Sequence, residues 1–260
     1  MSVALHIEST GHGAPLVLLH GWAMHSGLWG PFVPRLAKRH RVHAVDLPGH
    51  GHSAAPAAFG LDECVGALAA AFPAAQQPLT VLGWSLGGLV AMRWALAAPE
   101  RVGRVVLVAT SPRFVAGPDW PHAMSREALD RFGDELHVAW KLTVLRFLAL
   151  QMHGGEHGRA ALAALRGQLF ARGEPAPKAL FAALDTIRHA DLRADVHRIG
   201  QPALVVSGER DTLTPPGAGR WLAGHLPDAR FVAIAGAAHA PFLSHADAFG
   251  VALTEFLDGA

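Results

Sequence analysis

Cysteine is all but missing from this chain: Cys64 stands alone in 260 residues. A single thiol closes no internal disulfide, and that usage suits a reducing compartment. Cys64 lies in the helix-forming run from Asp62 to Phe72 with no glycine loop around it, so it is expected to pack a helix and not to act as a nucleophile. Net charge is nearly absent as well. Lys and Arg number 22 against 21 Asp and Glu, a formal balance of +1, and no basic field of the kind nucleic acid attracts can come from it. Long apolar runs are missing too. The stretch from Ala67 to Phe72 stops at Pro73, far short of the ~20 residues a membrane span needs. The opening MSVALHIEST has no positive segment followed by an apolar one, so no secretory leader is expected. These absences point to a cytoplasmic protein, expected to be monomeric, that binds neither membrane nor nucleic acid.

Metal and dinucleotide signatures are also lacking. His50-Gly51-His52 is a close pair in a glycine-rich turn with no acidic or cysteine complement. The glycines after VDLP do not form G-x-G-x-x-G. No cofactor and no metal are expected.

What the chain does have is apolar material, 51% hydrophobic against 17% charged residues, enough for a large core. Short apolar runs alternate with helical segments, as parallel strands covered on both faces require. The runs are Leu16 to Leu19, Val42 to Val45, Leu79 to Leu82, Val105 to Val108, Ala203 to Ser207 and Phe231 to Ile234. Val3 to Ile7 is expected to add an antiparallel edge strand, turned by the Gly11 to Pro15 segment. The strand rhythm stops between about Ser111 and Gln201, where helical patterns punctuated by Pro118, Pro121, Gly154-Gly155, Gly173, Pro175 and Pro177 take over. The expected architecture is a mostly parallel α/β sheet flanked by helices. Residues 1–110 and 201–260 form its core and 111–200 an inserted helical cap.

Gly83-Trp84-Ser85-Leu86-Gly87 carries the chemistry. With 28 glycines in the chain, chance supplies on the order of 0.1 such G-x-S-x-G patterns, so context decides its meaning. It lies between the apolar run LTVL and the helix-like run LVAMRWALAA, where a nucleophile elbow belongs. A serine hydroxyl is a poor nucleophile near neutral pH and needs a base, which in turn needs an orienting acid. Both are expected just after late strands. Asp211 follows ALVVSG in GERDTLTP, and His239 follows FVAIAG in AAHAPF, giving the order serine, acid, histidine. Glu209 and Asp228 compete for the acid role, but the first precedes the turn of its loop and the second precedes its strand. Among 17 histidines, position singles out His239, since His225 lies in a helix-like stretch and His245 begins the last helix. Two backbone amides should receive the oxyanion: that of Leu86, and that of Trp22 in the His20-Gly21-Trp22 loop after LVLL. The His20 side chain is expected to brace that loop. For the Trp22 indole, pocket wall and core packing stand equal.

The segments PLVLLHGW, VDLPGHGHS, LGWSLGGLV, PERV, RFLALQ, GERDTLTP and AAHAPFLSH together resemble the pimeloyl-[acyl-carrier protein] methyl ester esterases of biotin synthesis. Histidine-glycine, G-x-S-x-G and the strand-end acid and histidine belong to the whole α/β-hydrolase superfamily. Gly-Trp-Ser-Leu-Gly-Gly, RFLALQ and AHAPFLSH are more specific. The resemblance implies a serine carboxylesterase acting on an acyl-carrier protein that bears a pimeloyl methyl ester. It implies an acyl pocket made by Trp22, Ser85, Leu86, the cap residues Phe147, Leu148, Ala149, Leu150 and Gln151, and His239. It also implies cap arginines that dock the acidic carrier. Arg146 and Arg159 fall on such positions, with Lys141 and Arg166 close by, whereas two further expected basic positions read Leu142 and Ala163. Between His137 and Arg172 five basic residues face Glu156 alone, a local +4, which suits an anionic partner. Arg159 and Arg166, seven apart, would share a helix face. Other serine hydrolases of this scaffold, among them enol-lactonases, carbon-carbon bond hydrolases and perhydrolases, share the triad. A binding module that merely keeps the fold would have no need of one.

Overall fold

The strand runs assemble as one sheet: Ile7–Thr10 (β1), Ala14–Leu19 (β2), His40–Val45 (β3), Leu79–Trp84 (β4), Val102–Val108 (β5), Ala203–Gly208 (β6) and Ala229–Ile234 (β7). This is a computed structural model that describes residues 3–30, 32–56, 58–73, 77–151, 162–163, 166–167 and 169–259, with backbone alone for Leu150 and Gln151. Strand order is β1-β3-β2-β4-β5-β6-β7. Only β1 runs antiparallel to its neighbour; the other pairs are parallel. The central runs are apolar throughout because both their faces are covered, and Leu16 to Leu19 and Val105 to Val108 are fully buried.

The edge strand is displaced from the expected Val3 to Ile7. Ile7 pairs with Val45 and Thr10 with Val42. The preceding residues follow the loop after β3 instead: the Ala4 and His6 carbonyls accept from the amides of Ala54 (3.2 Å) and Asp46 (3.0 Å). Apolar content marked those residues as strand, but their backbone partners lie in a loop.

Helices Val33–Leu36 (α1), Leu61–Ala71 (α2) and Leu86–Ala97 (α3) follow β2, β3 and β4. Cys64 is wholly buried in α2, and burial pushes its thiol well above the ordinary range, as a packing residue requires. Between β5 and β6 the chain runs through Arg126–Gln151 (α4) and Pro177–His189 (α5). Helix α4 breaks at Ala139 (φ −149°, ψ 60°). There the Thr143 hydroxyl donates to the carbonyls of Glu135 (3.0 Å) and Ala139 (3.1 Å), satisfying acceptors near the break. Helix α5 buries Ala179, Leu180, Ala183, Leu184 and Ile187, a helical stripe facing inward. Pro216–His225 (α6) packs on β6 and β7, and Pro241–Ser244 (α7) leads into Ala246–Asp258 (α8). Among the described residues no helix is long and apolar enough to cross a membrane.

Candidate active site

The turn from β4 into α3 holds Ser85 at φ 55° and ψ −118°, a backbone region that a non-glycine residue enters at about 1–3 kcal/mol. The surroundings hold it there. Its amide donates to the Val108 carbonyl (2.9 Å), and its carbonyl accepts from the Thr110 hydroxyl (2.7 Å) and the Gly88 amide (2.9 Å). A side chain at Gly83 would run into the Gly87 backbone, and one at Gly87 into the Leu19 and His20 carbonyls. These clashes explain the two glycines of the motif.

Asp211 and His239 leave the ends of β6 and β7 and meet in the interior. His239 Nδ1 donates to Asp211 Oδ2 at 2.8 Å, with side chains 2% and 0% exposed. Asp211 is held by three more donors: the Leu213 and Thr214 amides on Oδ1 (both 2.9 Å) and the Thr214 hydroxyl on Oδ2 (2.7 Å). Trp84 Nε1 donates to the His239 carbonyl (2.7 Å), tying the histidine loop to the elbow. The competing acids lie elsewhere. Glu209 accepts the Gly236 amide (3.0 Å) at the surface, and Asp228 is exposed ahead of β7. His225 stacks on Trp221 at 3.7 Å between ring centroids.

Leu86 opens α3, so its amide is one of the first-turn N–H groups that have no acceptor within a helix. The Trp22 amide lies on the loop after β2. His20 braces that loop: its Nε2 accepts the Leu47 amide (2.9 Å), which leaves Nδ1 to donate to the Gly21 carbonyl (2.8 Å). This arrangement needs the neutral ring. Burial first, and His50 beside it, lower the His20 pKa from 6.5 to about 3; burial also lowers that of His50. Below pH 6.5 the unfolded chain therefore takes up protons that the folded chain refuses. Stability present above that pH is lost as pH falls toward the folded values, by up to ~1.4 kcal/mol per pH unit for each such group. Urea unfolding at pH 7, 6 and 5 is expected to show a steady fall, and a flat series would contradict this assignment.

Ser85 and His239 open onto one apolar pocket. Trp22, Phe114, Met124 and Leu213 line it from loops, and Leu129, Phe132, Phe147, Leu184 and Ile187 from α4 and α5. Trp22 is both pocket wall and packing: its ring meets Phe132 and Phe147 edge-on (5.4 Å each), while its Nε1 donates to the Leu180 carbonyl (2.9 Å). Among the described residues no hydrogen bond joins Ser85 to His239; they share the pocket wall, and such bonds tighten in the reacting complex. Of the expected cap contacts, Phe147 borders the pocket. Leu148 is fully buried in the core but is not among the described residues bordering it, and Ala149 is half-buried. The side chains of Leu150 and Gln151 lie outside the described residues. Sequence reasoning missed Thr214, Phe132 and Leu184. An Asp followed three residues later by Thr is the pattern of a side-chain-capped turn and could have revealed the first.

The basic residues of the stretch between β5 and β6 are less free than the local +4 implies. Lys141 pairs with Glu174, Arg146 comes within 3.9 Å of Glu135, and Arg172 turns inward to Glu8 and Asp46. Every one of those acids lies outside the stretch over which the charge was counted. Arg166 is exposed and makes no ion pair among the described residues; Arg159 lies outside them.

Comparisons with known proteins identify the family. A family model described as alpha/beta hydrolase family matches residues 16–251. A relative from Chromobacterium violaceum, named pimeloyl-[acyl-carrier protein] methyl ester esterase, is 48% identical over 254 residues, 98% of each chain. One of the same name from Nitrosomonas europaea is 45% identical over 246 residues, 95% of this chain and 96% of its own. An esterase structure from Exiguobacterium antarcticum superposes with a TM-score of 0.91 at 20% identity, covering 99% of this chain and 96% of that one, and so shares the fold. The chain belongs to the alpha/beta hydrolase family and, within it, groups with the pimeloyl-[acyl-carrier protein] methyl ester esterases.

Proposed function

We propose that this protein is a serine carboxylesterase that removes the methyl group from a pimeloyl methyl ester carried on acyl-carrier protein, in the cytoplasm and as a monomer. The observation that carries the reading is the pocket: a buried serine, histidine and aspartate set opens onto an almost wholly apolar chamber beneath α4 and α5. An unbranched methylene chain suits such walls. Ser85 Oγ attacks the ester carbonyl as His239 takes its proton, and Asp211 steadies the imidazolium. The Leu86 and Trp22 amides receive the oxyanion. His239 then gives its proton to the departing methoxide, which leaves as methanol, and water attacks the acyl-enzyme by the same route to free the carboxylate. The carrier thioester at the far end of the chain stays outside, because a folded carrier cannot enter the pocket. If the gene restores biotin-free growth to bacteria lacking this esterase, and its Ser85→Ala form does not, the reading stands. Failure of the intact gene despite normal expression would contradict it.

The acidic carrier is proposed to dock on Lys141, Arg146, Arg159 and Arg166. Replacing Arg146 and Arg159 together by Glu is expected to leave a short free ester hydrolysed at the ordinary rate. Turnover of the carrier-linked ester should fall by about 10-fold and lose its sensitivity to salt. Equal slowing of both substrates would remove the docking face from the account.

A further inference from the structure

The proposed chemistry depends on where the Trp22 amide points, yet Trp22 sits on a loop between β2 and the short 3-10 turn Ser26–Trp29, with Ala23 at φ 62°. His20 and the Trp22 indole hold the first half of that loop. The second half is held from the cap side. Arg172, whose side chain is 13% exposed, donates from Nη1 to Ser26 Oγ (3.0 Å) and from Nη2 to Glu8 (2.6 Å), and its Nη1 stands 3.6 Å from Asp46 Oδ2. Asp46, fully buried, accepts the Ser26 amide on Oδ1 (2.6 Å). Gly27 packs against the guanidinium so closely that a side chain there would touch Arg172 Nε. Ser26 is thus gripped at its amide by the core and at its hydroxyl by a residue that reaches in from the segment before α5.

We infer that Arg172 is a positioning residue: it clamps the loop that carries the Trp22 amide and thereby sets the oxyanion site. The inference rests on the function proposed above. The planar guanidinium fits the task, because its fork engages Glu8, Ser26 and Asp46 from one rigid group, whereas an ammonium would act as a single point. Together with the bond from the Trp22 indole to the Leu180 carbonyl, it makes two links from the β5–β6 insertion to one catalytic loop. The position of the insertion is therefore read directly by the oxyanion donor.

The test compares wild type with Arg172→Gln, Arg172→Lys, Ser26→Ala and, as a control for loss of a remote ion pair, Arg193→Gln, whose partners are Asp119 and Asp191. Steady-state kinetics use p-nitrophenyl butyrate, and phenylboronic acid serves as the tetrahedral analogue. Arg172→Gln is expected to lower kcat by about 10- to 100-fold, the scale of a small misplacement of a catalytic group. KM should stay within about twofold, because only stabilisation of the transition state is lost. The boronate inhibition constant should rise by the same factor as kcat falls. Arg172→Lys should regain part of the loss, Ser26→Ala should move the same way by less, and Arg193→Gln should match wild type. Unchanged kcat and boronate affinity in Arg172→Gln, a loss confined to KM, or an equal loss in Arg193→Gln would overturn the inference. If Arg172→Gln does not fold, Ser26→Ala decides alone, and wild-type kcat in that variant overturns it. Absence of Ser85-dependent turnover in the wild type would overturn the proposed function and this inference together; turnover that Arg172→Gln leaves intact overturns this one only.

Discussion

Ser85→Ala is expected to lower kcat for ester hydrolysis by about a million-fold, and His239→Ala by nearly as much. Both side chains open onto the same apolar pocket, and no other serine borders it among the described residues. The double variant should be little worse than either single one, because nucleophile and base act as a unit. Folding should survive: alanine at φ 55° is no more strained than serine, and the bonds that hold this turn are made by the Ser85 backbone. Thermal unfolding of Ser85→Ala should therefore match wild type, so that lost activity is lost chemistry. Retention of a tenth of the wild-type rate would end the triad account.

Asp211→Asn is expected to lower kcat by about 10⁴-fold through the wrong histidine tautomer. Its geometry leaves the asparagine little choice. Oδ1 accepts two backbone amides, so the amide oxygen must take that place, and the NH2 group must take the place of Oδ2, facing His239 Nδ1. Nδ1 would then have to accept, leaving the proton on Nε2, where it cannot receive one from Ser85. The Thr214 hydroxyl, which now donates to Oδ2, would have to turn and accept. Rates measured near neutral pH on a short free ester test this, and a loss of less than tenfold would mean that another acid serves His239.

The parts of the protein governed by local pattern were legible in the residues. Parallel strands buried on both faces must be apolar over their length, so six runs could be placed, each one to three residues longer in the structure. Ser85, Asp211 and His239 stood out because each sits at a strand end, and the sheet brings those ends together whatever lies between. The edge strand was misplaced because apolar content alone does not say whether a backbone pairs with a strand or with a loop. Pocket residues such as Phe132 and Leu184 carry no motif; they are ordinary inward positions of amphipathic helices, and the packing of α4 and α5 decides what they face. In the sequence Arg172 is simply the last of five basic residues that give the stretch from His137 its local +4. Its acids, Glu8 and Asp46, lie near the other end of the chain, and only the fold brings them together. The same holds for Glu135 and Glu174, which temper the charge of Arg146 and Lys141.

In the proposed reaction Ser85 cleaves the methyl ester of a carrier-bound pimeloyl group. Intact-protein mass spectrometry of pimeloyl-[acyl-carrier protein] methyl ester after incubation with the purified enzyme tests it directly. The expected product with wild type is a carrier lighter by one CH2 with its thioester still in place, and no change is expected with Ser85→Ala. An unaltered carrier after wild-type treatment, or release of the whole acyl group by thioester cleavage, would contradict it.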